Sequence, residues 1–255
     1  MKLRYPAEAF ALGIVLFSGN MREAFVSGVL VILAVVFAQV LKNFLKDCLP
    51  LWSLRACVAV ATAAVCASAF ALAFWQLGIE RGGVFWFSAA VIGLLAAKHV
   101  CMNELEADYG SLCYESALVW GFWILFAIGR EFFATGGICG YPLAELTYSA
   151  GSLQEPMFGF LAAGMALAFT NGILKKYQVT AESFWVVLPA ILVTRPFTPA
   201  RFGAAGGAVF AIVAALVMYI SVRKMLVFSR PGKAYRKMPV ELISMGFIYM
   251  VLSVY

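Results

Sequence analysis

Charge is what this chain has least of: 13% of its 255 residues are charged, 13 are acidic, and histidine occurs once. A soluble domain needs a polar surface, and a chain that is 64% hydrophobic with a mean hydropathy of +0.91 has little to build one from. A sizeable water-soluble domain is therefore excluded. No phosphate-binding loop, HExxH, GxSxG or quinone-type histidine pair occurs, so independent catalysis has no residues to rest on and the chain reads as non-catalytic. The six cysteines, Cys48, Cys57, Cys66, Cys101, Cys113 and Cys139, contain no CxxC pair and mostly fall in or beside apolar segments, which reads as small buried thiols. No acidic residue is expected deep in a span; Glu115, near the start of one, comes closest. Buried acids are costly and kept for use, so the chain alone is not expected to pump protons. Lys2 and Arg4 before an apolar stretch imitate a secretory signal, but no small-x-small cleavage site follows at Ser18-Gly19-Asn20-Met21, and the segment reads as a retained span.

What the chain does have is apolar runs, at 9–19, 24–41, 56–77, 83–97, 112–129, 156–174, 183–194, 202–222 and 240–255. They allow roughly eight or nine crossings of ~30 Å of hydrocarbon. Three of them, 9–19, 83–97 and 183–194, fall short of the ~20 residues of a helical crossing and read as half-helices or re-entrant segments. Each short run precedes two longer ones, which suggests one three-segment unit used at about 1–82, 83–178 and 179–255. VSGVLVILAVVFAQVLKNFL in the first unit is similar to GGAVFAIVAALVMYISVRKML in the third.

The formal charge of +6 and pI near 9.0 do not point to nucleic acid, because the basic residues sit in short loops instead of being interleaved with aromatics on a soluble face. If every run crosses, one side holds Lys2, Arg4, Lys42, Lys46, Arg55, Lys98, Lys175, Lys176, Arg223, Lys224, Arg230, Lys233, Arg236 and Lys237; the other holds Arg22, Arg81, Arg130, Arg195 and Arg201. This asymmetry predicts a cytoplasmic N-terminus and an external C-terminus. Units with an odd number of spans enter the membrane from opposite faces. The expected fold is all-α and polytopic: about nine segments in three inverted units, whose broken helices present unpaired N–H and C=O groups near the midplane.

Within this pattern the stretch 123–140, WILFAIGREFFATGGICG, stands out. Arg130 and Glu131 close an apolar run and glycines follow. One reading is a snorkelling terminator with a flexible turn. The other is a backbone that bends back against the membrane or admits a partner closely at Thr135, Gly136, Gly137 and Gly140. His99, after Lys98, reads as an interfacial side chain with one ring nitrogen in water, the alternative being a proton relay or ligand. Arg195-Pro196 reads as a loop arginine, the alternative being a fixed charge beside a pathway. Gly203 and Gly207 give a GxxxG spacing that indicates tight helix packing. The basic residues Arg223, Lys224, Arg230, Lys233, Arg236 and Lys237 are expected to lie in one loop and contact anionic lipid or an acidic partner.

AIGREFFATGGICG resembles the end of an apolar span in the integral membrane subunits of the Rnf and Nqr complexes, which couple electron transfer from ferredoxin or NADH to movement of sodium ions or protons. EPMFGFLAAGMALAFTNGILKKY, VLKNFLKDCLPLWSLRACVAVATAAV and AYRKMPVELISMGFIYMVL extend the likeness. The resemblance implies an Rnf/Nqr-like six-segment inverted-repeat unit over 1–178, with 179–255 as an additional three-segment unit. It also implies other membrane subunits as partners, and an iron–sulfur cluster held by cysteines at half-helix tips. In this chain ALGIVLFSGN and LPAILVTRPF hold no cysteine, and VFWFSAAVIGLLAAKHVC offers Gly93 or Cys101 at the ligand position. Cys101 and His99 alone do not make a four-ligand site, so the chain is expected to bind no complete cluster of its own, with iron–sulfur and flavin cofactors in partner subunits. The expected role is conduction or scaffolding in a bacterial inner membrane. Arg130 and Glu131 would fix the half-helix assembly or contact a partner, with Asn20, Gly93 and Thr194 near the half-helix tips. A small secondary transporter or permease component on the same scaffold is the alternative.

Overall fold

The computed structural model describes residues 4–79, 83–102, 109–144, 151–175, 184–194, 203–225 and 240–253. Among them are nine α-helices: α1 (Ala7–Phe17), α2 (Met21–Leu45), α3 (Leu51–Gln76), α4 (Gly83–Met102), α5 (Tyr109–Thr135), α6 (Pro156–Leu174), α7 (Phe184–Thr194), α8 (Gly203–Met225) and α9 (Val240–Ser253). The remaining regular structure is a two-stranded hairpin, β1 (Gly137–Ile138) and β2 (Tyr141–Pro142), and a 3₁₀ turn at Gly151–Gln154. Five helices, α2, α3, α5, α6 and α8, are long and apolar enough to cross a membrane. The chain is an all-α, polytopic, membrane-spanning protein.

Its outer surface agrees with that solvent. On α3, Leu51, Trp52, Val60, Val65, Leu72 and Trp75 all point outward. Such a face would aggregate in water, and hydrocarbon solvates it. Trp52 and Trp75 stand at its two ends, about 35 Å apart at 1.5 Å per residue. That separation puts an indole near each interface of a ~30 Å hydrocarbon layer, where indoles concentrate.

Contacts at the helix ends fix the direction of most elements. One end of the bundle gathers Arg4, Tyr5, Lys42, Asn43, His99, Val100, Tyr109, Glu115 and Asn171. The other gathers Ser18, Met21, Arg130, Glu131, Gly140, Leu153 and Glu155. Helices α1 to α6 therefore alternate in direction, and α7 starts beside Lys98 at the first end. Helix α9 lies antiparallel to α6, with Tyr249 on Phe160 and Ile243 on Gly164.

The core is built around α1. Only Glu8 and Leu16 of its eleven residues escape full burial. A helix that is apolar all round belongs inside, and α1 is surrounded by α2, α4, α6 and α7, with side chains of α5 reaching it. Helices α1, α4 and α7, which open the three units expected from the sequence, all touch one another. Helix α6 packs on α1 as α3 packs on α4. Glycines make these crossings close. A Cβ at Gly159 would lie 2.2 Å from the Val15 carbonyl oxygen, and one at Gly93 would lie 2.8 Å from the α3 backbone. The close approaches also include Gly28 under Trp120 and Gly164 under Ile243, whereas Gly203, first residue of the expected GxxxG, faces open space.

Two expectations need correction. The run 83–97 reaches further than expected: α4 is a 20-residue helix that continues through Lys98 and His99, while its Trp86–Met102 stretch still stands with α1 and α7 among the shorter apolar helices. The charges do not end it because Lys98 pairs with Glu8 (3.2 Å) and His99 meets the Arg4 carbonyl, so both are satisfied inside the protein. The cysteines are not uniformly buried; Cys66 alone is, while Cys48, Cys57 and Cys113 are exposed, Cys57 and Cys113 on outward helix faces.

Gly159 and Gly172 make a paired test on one helix. Gly159→Ala is expected to destabilise the detergent-solubilised protein by about 1–3 kcal/mol, because the α1 backbone cannot withdraw. Gly172→Ala, facing open space, is expected to be neutral or to stabilise by up to about 1 kcal/mol. Thermal unfolding followed by size-exclusion recovery measures both, and equal effects would contradict the packing around α1.

Candidate functional site

Arg130 and Glu131 lie inside α5, because the helix continues for another turn to Thr135. The Thr135 hydroxyl donates back to the Glu131 carbonyl at 2.8 Å. Gly136, at φ 71°, turns the chain out of the helix, and its N–H bonds the Phe132 carbonyl at 2.8 Å. The hairpin turn that follows places Cys139 (φ 55°) and Gly140 (φ 80°) both in the left-handed region, the pattern of a type I′ turn. At Gly137 a Cβ would meet the Tyr141 carbonyl oxygen at 2.6 Å. The glycine-rich stretch thus forms a tight hairpin folded over the end of α5.

The two charges are buried, at 8% and 6% exposure, which overturns the snorkelling reading. Adjacent on a helix, their side chains diverge by about 100° and serve different partners. Arg130 donates from Nε to the Leu153 carbonyl at 2.8 Å, from Nη2 to the Glu155 carbonyl at 2.7 Å, and from Nη1 to the Ser18 hydroxyl. Glu131 accepts from the Met21 N–H at 2.7 Å and from the Gly140 N–H at 3.3 Å. The cation faces carbonyls at the exit of the 3₁₀ turn, and the carboxylate faces the N–H that opens α2 and one N–H of the hairpin. Each charge therefore meets the complementary end of a backbone dipole. One dipeptide joins the end of α1, the start of α2, the hairpin and the entry to α6.

Asn20 belongs to this joint as the N-cap of α2, its Oδ1 accepting the Glu23 N–H at 2.8 Å. Nearby, the Cys139 sulfur sits 3.4 Å from that of Met21.

The opposite end carries a second polar cluster around the backbone of Arg4. Its N–H donates to Glu115 Oε2 at 2.9 Å, and its carbonyl lies 2.9 Å from His99 Nε2. The Tyr5 hydroxyl donates to Asn171 Oδ1 at 2.8 Å. Lys42 reaches the Val100 carbonyl at 2.7 Å, and Lys98 lies over the Trp185 ring at 5.2 Å. Glu115 is buried at 3% exposure, six residues into α5 and near the bundle end, as the sequence placed it. His99 is partly buried, with Nε2 against the Arg4 backbone.

The other candidates disperse. Gly93 is mid-helix in α4 and serves packing against α3, not a half-helix tip. Thr194 is the last residue of α7, and its hydroxyl is buried without a partner among the described residues. Cys101 lies in the last turn of α4. Among the described residues no three His, Cys, Asp or Glu side chains gather as a metal site. Arg223 and Lys224 stand in the last turn of α8 and not in a loop, where basic residues complement the helix dipole. Arg230, Lys233, Arg236, Lys237 and Arg195 lie outside the described residues.

Sequence reasoning missed Ser18, Tyr5 and Asn171. Ser18 had a local signal, standing just before the Asn20 cap, but nothing in the sequence pairs residue 5 with residue 171. No family profile, curated protein or solved structure matches the chain.

Removing either charge releases buried backbone groups. Arg130→Met is expected to destabilise the protein by about 2–3 kcal/mol, since two carbonyls and a hydroxyl lose their donor. Glu131→Leu is expected to do the same and Glu131→Gln to cost less, because the amide oxygen still accepts. Thermal unfolding in detergent, with maleimide labelling of Cys139 as a local probe, reads both. Unchanged stability in Arg130→Met would remove the joint from the account.

Proposed function

We propose that the chain is a non-catalytic membrane subunit of an Rnf/Nqr-type assembly, which couples redox chemistry in partner subunits to translocation of Na⁺ or H⁺. The observation that carries the reading is the joint at Arg130 and Glu131. The stretch that carries the family resemblance is also where one dipeptide ties four chain segments together. The role is conduction or scaffolding, with flavin and iron–sulfur groups in partners. An inverted-repeat relation of the three units is supported by the mutual contact of α1, α4 and α7 and by the matched pairs α1 with α6 and α4 with α3. The Lys and Arg asymmetry supports a bacterial inner-membrane protein with the Lys42 end cytoplasmic and the C-terminus outside. The basic residues 223–237 would then meet anionic lipid or an acidic partner.

A second reading, a small secondary transporter, is favoured by one observation: buried polar clusters lie at both ends of α1 within a single chain. Mild extraction from the native membrane separates the two. The redox reading expects flavin- and iron–sulfur-containing subunits to co-purify, with visible absorbance that stays with the partners when they are stripped. Solute counterflow by the isolated chain in vesicles, with no such partners, would replace it with the transporter reading.

A further inference from the structure

Ser116, Trp123 and Arg130 recur every seven residues on α5 and so lie on one stripe of the helix. That stripe faces α1. Trp123 packs edge-on to Phe10, with ring centroids 6.4 Å apart, and over Gly13, where a Cβ would lie 2.7 Å from the indole. Arg130 reaches Ser18 at one end of α1, and Glu115 reaches Arg4 at the other. Side chains, rather than close backbone contact, hold α1 and α5 together, and they leave unmet polar atoms between them.

The Ser116 hydroxyl and the Trp123 Nε1–H have no hydrogen-bond partner among the described residues. Neither has Gln39, at either its amide nitrogen or its amide oxygen. All three residues are at most 2% exposed. Helices α2 and α5 run antiparallel, with Met21 on Glu131 and Asn43 on Tyr109. Gln39 and Ser116 both lie in the half of this contact nearer the Arg4 end. Because Cβ bonds tilt toward each helix's own N-terminus, the two side chains lean toward each other. An orphaned buried amide in hydrocarbon is costly, and a group that both donates and accepts would satisfy all four atoms.

We propose that ordered water fills this seam, entering at the Arg4 end past Glu115 and ending at Trp123, where the indole on Gly13 closes the way to Arg130. The water bonds Gln39, Ser116 and the Trp123 N–H, and it connects the buried Glu115 carboxylate to the outside. Buried waters commonly serve polar groups left unmet in this way. The inference rests on the membrane-embedded bundle and not on the redox reading.

The test is thiol chemistry, because a cysteine ionises and reacts only where water reaches it. In the full chain with its six native cysteines replaced, Gln39→Cys and Ser116→Cys are expected to react with a small water-borne thiosulfonate about tenfold faster than Val31→Cys, a buried apolar site on α2. Equal rates at all three positions, fast or slow, would overturn the seam. If the cysteine-free chain does not fold, radiolytic hydroxyl-radical footprinting of the native chain takes its place. Trp123, fully buried, is expected to be oxidised by radicals formed in adjacent water; an unmodified Trp123 also overturns the proposal.

Discussion

A helix of eleven residues is about 16 Å long and cannot bring both its ends to the surfaces of a ~30 Å hydrocarbon layer. Helix α1 is such a helix, and it is enclosed on all sides. Hydrocarbon supplies no hydrogen bonds, so the chain just before and after α1 must find its partners within the protein. Arg4 and Tyr5 find them in Glu115, His99 and Asn171. Ser18 and Met21 find them in Arg130 and Glu131. The two polar clusters are consequences of one buried short helix.

This requirement also explains how charged residues persist in so apolar a chain. Arg130 is matched by two carbonyls and a hydroxyl, and Glu131 by two N–H groups. Neither charge needs the other as partner. A buried ion pair must offset the desolvation of both ions through one contact, whereas here each charge spreads over several fixed dipoles that themselves needed partners. The glycines of the hairpin serve the same end, since Gly140 can offer its N–H to Glu131 only because residues 139 and 140 adopt left-handed backbone. One joint thereby locks several helix ends at once.

Much of this was legible beforehand. Mean hydropathy and run length gave the solvent, the helix count and the helix positions to within a few residues, because a chain that must satisfy its backbone in lipid has few alternatives to helix. The three runs marked as short reappear as the shorter apolar helices of the bundle, α1, the Trp86–Met102 stretch of α4, and α7. At 83–97 the end was misplaced, because Lys98 and His99 look like a boundary and are instead absorbed by Glu8 and Arg4 from a segment some ninety residues earlier. Arg130 and Glu131 were conspicuous as charges in an apolar context. Their burial was not, because an arginine at the end of a run can either snorkel or turn inward, and only the position of other segments decides which.

By itself the sequence determined the membrane as solvent, the helical class and the alternating course of the chain, and it marked Arg130 and Glu131 as charges in an apolar context. These follow from composition and from properties local to one helix or turn. The tertiary structure alone decided that α1 is central, that Glu115 is buried on the backbone of Arg4, that Tyr5 meets Asn171, and that Gly93 serves packing. Each of these depends on which segments come together across the bundle, and in an apolar chain many pairings look alike until the few polar groups have to be matched.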